Sequence, residues 1–346
     1  MKQWQVIVAG IAGFALIAMA MSGIVFRQFL HQEAAIPAEG LSFEIAPGSS
    51  FAGISEQLAQ DGIIEHPGWL RWYARYTGDA SQIRAGQYRL EAGETPADLL
   101  EKFVAGKVEL YSFTIVEGWN YRELIAAMAA SEVIDSSIVV EDWPAVLETF
   151  AAPFVHPEGL FLPETYRIPK HTRDIEVLRQ AFELMQKTLA EEWQNRSTET
   201  PFATPYEALI MASIIEKETA RADERALISG VFTRRLKTRM RLQTDPTVIY
   251  GLGADFDGNI TRRHLRSDTP YNTYTRHGLP PTPIAMAGKA AIHAALHPAD
   301  GKELYFVATG LGDGSHKFSA TKAEHDAAVR EYLARQRRNR QEQQGT

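Results

Sequence analysis

The chain has 346 residues, 45% of them hydrophobic, which is enough to form more than one core. Its net charge of −7 argues against a nucleic-acid-binding protein, which normally carries a basic face. The absence of cysteine excludes a disulfide framework, a thiol nucleophile and a cysteine-ligated zinc site, but it does not fix the compartment.

The N-terminal segment predicts a membrane anchor. Val6 to Phe26 is apolar apart from one serine and several small glycines, long enough to span a bilayer as a helix. A cleaved signal peptide is the alternative, because Ala18-Met19-Ala20 resembles a processing site, but the apolar run continues past it. Lys2 and the amino terminus favour a cytoplasmic N-terminus, although Arg27 weakens the charge asymmetry. We therefore expect a retained anchor within residues 1–31.

A pattern of short strand, glycine-containing turn and helix start occurs three times after this anchor. The copies are Leu41–Gly48, Gln87–Gly93 and Phe113–Gly118. Their terminal glycines suit turns that need a positive φ. Thr95 and Asn120 are well placed to cap the helices that follow, each with an acidic residue three positions later.

A further helix at Pro67–Tyr76 carries aromatic side chains on an apolar face. With its flanking elements it gives a strand–helix–helix–strand unit from about Leu41 to Leu90, which resembles a LysM-like module. Such modules often bind N-acetylglucosamine polymers. We therefore predict a LysM-like subdomain over residues 32–112 and a larger mixed α+β catalytic domain over residues 113–346.

The C-terminal part of the chain alternates helices with polar loops. Periodicity and turn residues predict helices at Asp174–Trp193, Asp223–Arg239 and Gly288–Leu296, loops at Met240–Gly251 and Ser267–Pro281, and a hairpin of Leu304–Thr309 with Lys317–Ser319. The helix that begins at Asp223 is expected to bury Leu227 together with Ile228, Val231, Phe232 and Leu236.

The stretch Thr204–Thr219 predicts a buried helix, around which the catalytic domain is organised. Thr204 is a suitable cap, Pro205 suits the first turn, and Glu207 completes a Thr-x-x-Glu capping box. Ala208–Ile215 is apolar on nearly every side, which is typical of a helix buried all round. Two carboxylates, Glu216 and Glu218, stand at its end, where burial of a charge is costly.

Helical geometry separates these two glutamates by about 200°, so they cannot share a face. Glu218 lies above the large apolar side chains of Met211, Ile214 and Ile215, whereas Glu216 lies above smaller and more polar residues. Desolvation should therefore raise the pKa of Glu218 in particular, as a general acid requires. The alternative is that both glutamates pair with arginines of the next helix.

Other site chemistries find less support. The ten histidines are scattered, and we assign none of them to a His-x-x-x-His pair on a zinc-binding helix, so no metal is expected. Ser213 lacks the Gly-x-Ser-x-Gly elbow of serine hydrolases. No cofactor is expected, because the glycine-rich segments lack the phosphate-loop pattern.

Four motifs carry a resemblance to a known family, the YceG-like endolytic murein transglycosylases. They are Glu158–Tyr166, Ala212–Thr219, Arg241–Gly251, and Tyr271–Tyr274 with Gly278–Pro280. The resemblance covers nearly the whole chain and implies a membrane-anchored α+β enzyme. It implies cleavage of the β-1,4 bond between N-acetylmuramic acid and N-acetylglucosamine within peptidoglycan strands, giving 1,6-anhydro ends.

The resemblance also implies a single catalytic glutamate, which we place at Glu218, with Glu216 left open. Residues of the matching motifs become candidates for substrate binding, each of which could instead stabilise a loop: Thr165, Tyr166, Glu216, Gln243, Thr244, Asp245, Tyr250, Asn272, Thr273 and Tyr274. Implied partners are peptidoglycan strands and peptidoglycan synthases, at the periplasmic side of the inner membrane. Termination of strand elongation is an implied role.

Three alternatives remain at this point. A hydrolytic muramidase would release reducing ends, and a non-catalytic scaffold would bind peptidoglycan without turnover. An aminodeoxychorismate lyase, a label attached to some relatives, would need a pyridoxal-binding lysine in a cytoplasmic domain, and the anchor argues against it.

Overall fold

The computed structural model describes residues 3–344. Met1 and Lys2, on which the prediction of orientation rests, lie outside the described residues. The chain separates into two compact units, Met1–Tyr111 with Arg167–His171, and Ser112–Tyr166 with Thr172–Thr346. Both contain helices and strands, so the expected mixture of α and β structure is confirmed.

The first unit combines four helices with a two-stranded sheet. Its elements are α1 (Gln3–His31), β1 (Leu41–Ile45), α2 (Phe51–Gln60), α3 (Pro67–Thr77), β2 (Gly86–Leu90) and α4 (Pro96–Ala105). β1 and β2 pair antiparallel with Leu41 opposite Leu90. Alternate residues of this pair, such as Phe43 and Tyr88, face the core and are almost fully buried. The strand–helix–helix–strand order is present, and the likeness to LysM modules stays a prediction.

Helix α1 contains a segment, Gly10–His31, that is long and apolar enough to cross a membrane. Its apolar side chains are exposed, as the 76% exposure of Phe14 illustrates. This is consistent with a single-pass anchor. An N-terminal signal sequence also meets this criterion of length and composition.

The local signals for helix starts and turns are confirmed. Thr95 and Asp98 form a reciprocal capping box at α4, and Asn120 and Glu123 form another at the helix that follows. Gly48, Gly93 and Gly118 have φ angles of 80°, 89° and 81°, which a side chain at these turns would disfavour.

The second unit contains most of the helices and two small pairs of strands, Ile134–Asp135 with Thr172–Arg173 and Tyr305–Ala308 with His316–Ser319. Its helices are α5 (Tyr121–Ala129), α6 (Trp143–Thr149), α7 (Asp174–Gln194), α8 (Pro205–Glu218), α9 (Arg225–Lys237), α10 (Asp245–Leu252), α11 (Arg262–Arg266), α12 (Lys289–Leu296) and α13 (Lys322–Gln344). The strands from Leu110 onward are β3 (Leu110–Thr114), β4 (Ile134–Asp135), β5 (Thr165–Pro169), β6 (Thr172–Arg173), β7 (Tyr305–Ala308) and β8 (His316–Ser319). β3 is paired with β5, β4 lies parallel to β6, and β7 and β8 form the predicted antiparallel hairpin.

Helix α8 lies at the centre of the second unit, in contact with α7, α9, α10 and α12. Every side chain from Ala208 to Ile215 is buried, so the predicted burial on all sides is confirmed. Ser213 fits this environment because its hydroxyl donates to the carbonyl oxygen of Ile210 (2.7 Å) and accepts from the amide of Ile284 (3.0 Å). Its hydrogen-bonding capacity is therefore used within the core.

Two predictions about the helices of this unit are wrong. The predicted loop Met240–Gly251 contains helix α10 from Asp245 onward, with Pro246 in its first turn, where the missing amide hydrogen costs nothing. Leu227 was expected to be buried but is 40% exposed, because it lies on the outer face of α9.

Candidate active site

Helix α8 carries Glu218 as its last residue. At its start, Thr204 caps the helix by accepting the amide of Glu207 (3.2 Å), as predicted. The capping box is incomplete, because the Glu207 carboxylate accepts from the amide of Ala203 instead. At its end, Thr219 is extended and its hydroxyl accepts the amide of Arg221 (3.0 Å). Thr219 therefore holds the chain where it leaves α8.

Among the described residues, Glu218 has one direct side-chain partner, the hydroxyl group of Thr244, which donates a hydrogen bond to Oε1. Thr244 occupies the N-cap position of α10, yet its hydroxyl makes no capping bond to that helix. An N-cap hydroxyl normally accepts from the second or third amide of its own helix. Here the hydroxyl is directed to Glu218, and the first turn of α10 is closed by Thr247, whose hydroxyl donates to the Thr244 carbonyl oxygen (2.8 Å).

Two tripeptides, Gln243–Asp245 and Asn272–Tyr274, are bonded to each other beside Glu218. The amide of Gln243 donates to the carbonyl oxygen of Thr273 (3.2 Å), and the amide of Thr244 donates to the Thr273 hydroxyl (3.1 Å). The Tyr274 hydroxyl donates to Asp245 Oδ1 (2.5 Å). These bonds fix the position of Thr244 and hence of the carboxyl group it contacts.

The predicted substrate-binding residues in these tripeptides differ in their exposure. Gln243 and Asp245 are exposed and Tyr274 is partly exposed, so all three can be reached from solvent. Thr273 and Asn272 are almost fully buried. Asn272 also uses its amide group within its own loop, where it donates to the carbonyl oxygen of Ser267 (2.7 Å) and accepts from the amide of Tyr274 (2.9 Å).

Burial raises the pKa of the Glu218 carboxyl above its usual value, and the negative charge of Asp245 raises it further. The hydrogen bond from Thr244 and the positive charges of His316 and Arg235 act in the opposite direction. Although protein atoms surround the carboxyl group, Glu218 keeps some exposed surface. The raised pKa predicted for this residue is therefore confirmed, together with its cause.

Arg235 and His316, whose Coulomb interactions lower the pKa of Glu218, were not identified from the sequence. Arg235 is buried in α9 and donates to the carbonyl oxygens of Leu242 (2.5 Å) and Leu304 (2.6 Å). His316, in β8, is held by the buried carboxylate of Glu224, which contacts both its ring Nδ1 (2.7 Å) and its amide (2.8 Å). The only sequence signal was Glu224 itself, an acidic residue next to a predicted helix start.

Glu216 is engaged in structural bonds on another side of α8. Its Oε2 accepts the amide of Gly288 (3.0 Å), just before α12, and its Oε1 lies 4.0 Å from the guanidinium of Arg225. Pairing with an arginine of the next helix is thus found for Glu216. Among the described residues, Glu218 has no ion pair within 4.0 Å. Burial raises the pKa of Glu216 as well, so the prediction that Glu218 alone would be shifted is wrong.

Tyr250 is bonded to a buried carboxyl group that is distinct from Glu218. Its hydroxyl donates to Glu158 Oε2 (3.0 Å), and Glu158 also accepts the amide of Tyr121 at the start of α5 (3.0 Å). Burial raises the pKa of Glu158 to about 7, although these hydrogen bonds act to lower it. Glu158 thus joins α5 to α10, which carries Asp245 at its other end.

Thr165 and Tyr166 make their bonds within their own neighbourhood. The Thr165 hydroxyl pairs with that of Thr114 (2.9 Å), and the buried Tyr166 donates to the carbonyl oxygen of Leu162 (2.7 Å). No hydrogen bond among the described residues joins either side chain to the network around Glu218. A substrate contact by these two residues stays a prediction.

One histidine pair with His-x-x-x-His spacing was not assigned from the sequence, and it does not lie on a single helix. His293 and His297 have this spacing, with His293 in α12 and His297 directly after it. Their rings stack at 4.1 Å, and the carboxylate of Glu192 in α7 lies 2.8 Å from His293 Nδ1. This group lies apart from the hydrogen bonds that surround Glu218.

A cavity at the first turn of α8, lined by Thr204, Tyr206 and Glu207 among others, is also separate from Glu218. The length of α8 puts its two ends about 20 Å apart. The cavity therefore does not form part of the site at the end of this helix.

Comparison with known proteins gives consistent matches. Residues 43–331 match the sequence profile of the YceG-like family. A protein of Bacillus subtilis (strain 168) named endolytic murein transglycosylase is 30% identical over 311 residues, which cover 85% of each chain. A protein of the same name from Streptococcus pneumoniae (strain D39) is 27% identical over 84% of the present chain and 58% of its own length.

The fold is also similar to that of a solved structure. The crystal structure of a putative YceG-like protein from Listeria monocytogenes superimposes with a TM-score of 0.52 at 28% sequence identity. The match covers 84% of the present chain and 99% of the Listeria chain.

Proposed function

The chain belongs to the YceG-like family, and on this basis we propose that it is a membrane-anchored endolytic lytic transglycosylase of peptidoglycan. The relatives named endolytic murein transglycosylase support a role in cleaving murein. The proposed reaction cuts the β-1,4 bond between N-acetylmuramic acid and N-acetylglucosamine within a glycan strand.

One observation carries the assignment of the catalytic residue. The carboxyl group of Glu218 is surrounded by protein and has a raised pKa, yet it is bonded to a single hydroxyl group and keeps some exposed surface. Glu216, the competing candidate, is committed to the amide of Gly288 and to Arg225. A general acid must hold a proton near neutral pH and must reach its substrate. Both glutamates have a raised pKa and some exposed surface, so the choice of Glu218 rests on their partners: Glu216 is held by two structural contacts, whereas Glu218 is bonded to Thr244.

The proposed mechanism uses this one carboxyl group twice. Protonated Glu218 donates its proton to the glycosidic oxygen as the bond to the anomeric carbon breaks and an oxocarbenium-like state develops. The resulting carboxylate then removes the proton of the C6 hydroxyl of the same N-acetylmuramic acid. The C6 oxygen bonds to the anomeric carbon, closing the 1,6-anhydro ring and restoring the protonated acid.

The surroundings of Glu218 suit this cycle. Its charge changes in each half-reaction, and the Coulomb interactions with His316 and Arg235 stabilise the carboxylate when it forms, as does the hydrogen bond from Thr244. Asp245 acts in the opposite direction and favours return of the proton. Gln243, Asp245 and Tyr274 are the proposed contacts for sugar hydroxyl and acetamido groups, because they can be reached from solvent beside Glu218.

A hydrolytic muramidase is the second candidate. One observation favours it: Asp245 is a second carboxylate near Glu218, and many glycosidases use a second carboxylate to activate water or to attack the sugar. In the present arrangement Asp245 accepts a hydrogen bond from Tyr274, and the transglycosylase needs no activated water.

The test is digestion of purified sacculi by the full chain in detergent, followed by mass spectrometry of the muropeptides. A transglycosylase gives products with 1,6-anhydro ends, lighter by one water than those of a hydrolase. Products with reducing ends would establish the muramidase instead. Binding of sacculi without any cleavage by the wild-type chain would establish the non-catalytic scaffold.

The proposed cellular setting follows from the anchor. We place α1 as a single-pass span of the inner membrane with a cytoplasmic N-terminus and a periplasmic catalytic unit. There the enzyme would cut nascent strands, limit their elongation and work beside peptidoglycan synthases. Glycan binding by the LysM-like unit is part of the same proposal.

A further inference from the structure

Three side chains of the kind that bind transition metals meet on the second unit, away from Glu218. They are Glu192 of α7, His293 of α12 and His297, which directly follows α12. Their ligand atoms all lie within 4.8 Å of one another. Three ligands of a tetrahedral zinc ion, each about 2.1 Å from the metal, are about 3.4 Å apart. The two imidazole rings are stacked at an interplanar angle of 18°, so they would have to rotate out of this stack to bring the three atoms onto one ion.

The present contacts of the two histidines leave room for such a change. His293 bonds to Glu192 through Nδ1, and no described protein group is at hydrogen-bond distance from its Nε2. His297 has main-chain carbonyl oxygens near both ring nitrogens, that of His293 (3.0 Å) and that of Asn195 (2.9 Å). A neutral imidazole has only one N–H, so one of these contacts is not a hydrogen bond. Turning one nitrogen of His297 to a metal therefore costs little.

We propose that Glu192, His293 and His297 form a binding site for a divalent transition-metal ion such as Zn²⁺. Two imidazoles and one carboxylate form a common donor set for zinc. The ion would link α7 to α12, the helix preceded by the Gly288 amide that Glu216 holds. The three side chains line a cavity together with Arg225, whose pairing with Glu216 offsets its charge.

The test is calorimetric titration of Zn²⁺ into the untagged full chain after treatment with a chelator. We expect one ion per chain and a rise of the melting temperature with zinc concentration, because a ligand that binds only the folded state stabilises it. His293→Ala and His297→Ala should each weaken binding at least tenfold. Glu192→Gln should also weaken it at least tenfold, because it removes the carboxylate ligand.

His277→Ala is the matched control, since His277 is an exposed histidine outside the cluster. It should bind zinc like the wild type. The proposal is overturned if the wild-type chain takes up no zinc, or if the cluster variants, shown by circular dichroism to be folded, bind zinc as tightly as the wild type does. The readout is metal binding, so the result does not depend on the proposed enzymatic activity.

A second inference concerns the membrane, and it rests on the proposal that α1 is the anchor. Helix α3 packs against the last turns of α1 through aromatic rings. Phe29 contacts Trp69 (centroids 5.5 Å apart), and Phe26 contacts Trp72 (5.2 Å). The later residue of α3 contacts the earlier residue of α1, so the two helices run antiparallel here. The end of α3 therefore points back toward the apolar segment.

The residues at that end are those a membrane interface favours. Trp72 stacks on Tyr76 (5.3 Å, 8°), and the two are 57% and 77% exposed. Arg75, between them on the helix, is also exposed. Tryptophan and tyrosine are enriched at both membrane–water interfaces, and arginine is a further interfacial anchor. We infer that the C-terminal half of α3 lies in the headgroup region of the bilayer that α1 crosses.

Single-cysteine labelling tests this inference, because the chain has no native cysteine. The full chain would be reconstituted in vesicles of phosphatidylethanolamine and phosphatidylglycerol that carry a spin-labelled headgroup, with an environment-sensitive fluorophore at Tyr76→Cys. Gly68→Cys is the matched control, exposed on the same helix and about 12 Å closer to its start. We expect the label at position 76 to be quenched at least twice as strongly as the label at position 68.

A label at Phe14→Cys separates the two possible failures. If a quencher in the acyl chains fails to reach position 14, the anchor itself is wrong. If position 14 is quenched but positions 76 and 68 respond equally to the headgroup quencher, the anchor holds and the placement of α3 is overturned.

Discussion

The hydroxyl group of Thr244 donates to the carboxyl group of Glu218, although Thr244 stands at the N-cap of α10 and could have bonded to its own helix. The residue that would normally stabilise a helix start instead stabilises the ionised form of a buried acid. Such a loss of local stability is expected where a side chain serves a site. Three of the predictions below concern the acid and its nearest partners.

Glu218→Gln should abolish cleavage of sacculi, with a loss of about 10²- to 10⁴-fold, because glutamine cannot donate the proton. The melting temperature and binding to sacculi should change little. Glu216→Gln should lower the melting temperature and leave cleavage largely intact. It removes the charge that faces Arg225 but leaves an oxygen for the Gly288 amide. Product release and thermal denaturation measured on both variants check this, and a larger activity loss in Glu216→Gln would reverse our assignment.

Thr244→Val should move the basic limb of the pH–activity profile to higher pH. The hydroxyl favours ionised Glu218, so its removal raises the pKa of that carboxyl further and keeps it protonated to higher pH. A hydrogen bond of about 0.5–1.5 kcal/mol corresponds to a shift of up to about one pH unit. Thr233→Val, a buried exchange in α9 outside this network, is the control. Equal shifts in both variants would show that the Thr244 hydroxyl does not specifically affect the titration of Glu218.

Asp245→Asn should move the same limb in the opposite direction. The Asp245 charge raises the pKa of Glu218, so a neutral amide at this position lowers it, and activity then declines at lower pH than in the wild type. Asparagine can still accept the hydrogen bond from Tyr274. Profiles of kcat/KM between pH 4 and 9 compare the two variants. Shifts of the same sign would contradict the electrostatic account.

Glu158→Gln should make stability less dependent on pH. The pKa of Glu158 is about 7 in the folded chain and about 4.5 unfolded, so the folded state binds the extra proton between these values. The contribution of this proton to the free energy of unfolding, about 3 kcal/mol, is complete below pH 4.5 and is lost as pH rises through 7. Melting temperatures from pH 4.5 to 8 should fall more steeply for the wild type than for the variant. Parallel curves would show that Glu158 does not titrate in this range.

Ser213→Ala should destabilise the second unit by about 1–3 kcal/mol, because it leaves the buried amide of Ile284 without its acceptor. Ser229→Ala is the matched control, since the Ser229 hydroxyl is buried and has no hydrogen-bond partner among the described residues. It should be neutral or slightly stabilising. Thermal denaturation of both variants measures the difference, and an equal loss would assign the effect to packing alone.

Features set by neighbouring residues were accessible from the sequence. The caps at Thr95, Asn120 and Thr204 use partners three positions away, and the burial of α8 follows from its unbroken apolar run. Helix α10 was missed because its cap hydroxyl acts elsewhere and its first residues Asp245 and Pro246 are typical of turns. Local patterns therefore predicted the elements but not every boundary between loop and helix.

The site itself depends on pairs that are distant in sequence. Thr244 lies 26 residues from Glu218, and the Gly288 amide lies 72 residues from Glu216. Helical phase showed that the two glutamates face different ways, but no local pattern indicates which partner each one meets. The charge of Arg235 and the Glu224–His316 pair were inaccessible for the same reason, since their neighbours come from other elements.

The place of Glu218 at the very end of α8 has a consequence beyond its contacts. The carbonyl groups of the last turn of a helix carry a partial negative charge, equivalent to roughly half an electron for the whole helix. An ionised carboxylate is repelled there, whereas a protonated one is not. The direction of the chain through the core thus adds to the proton affinity of the acid. The same glutamate at the first turn of α8 would hold its proton less tightly, even with equal burial.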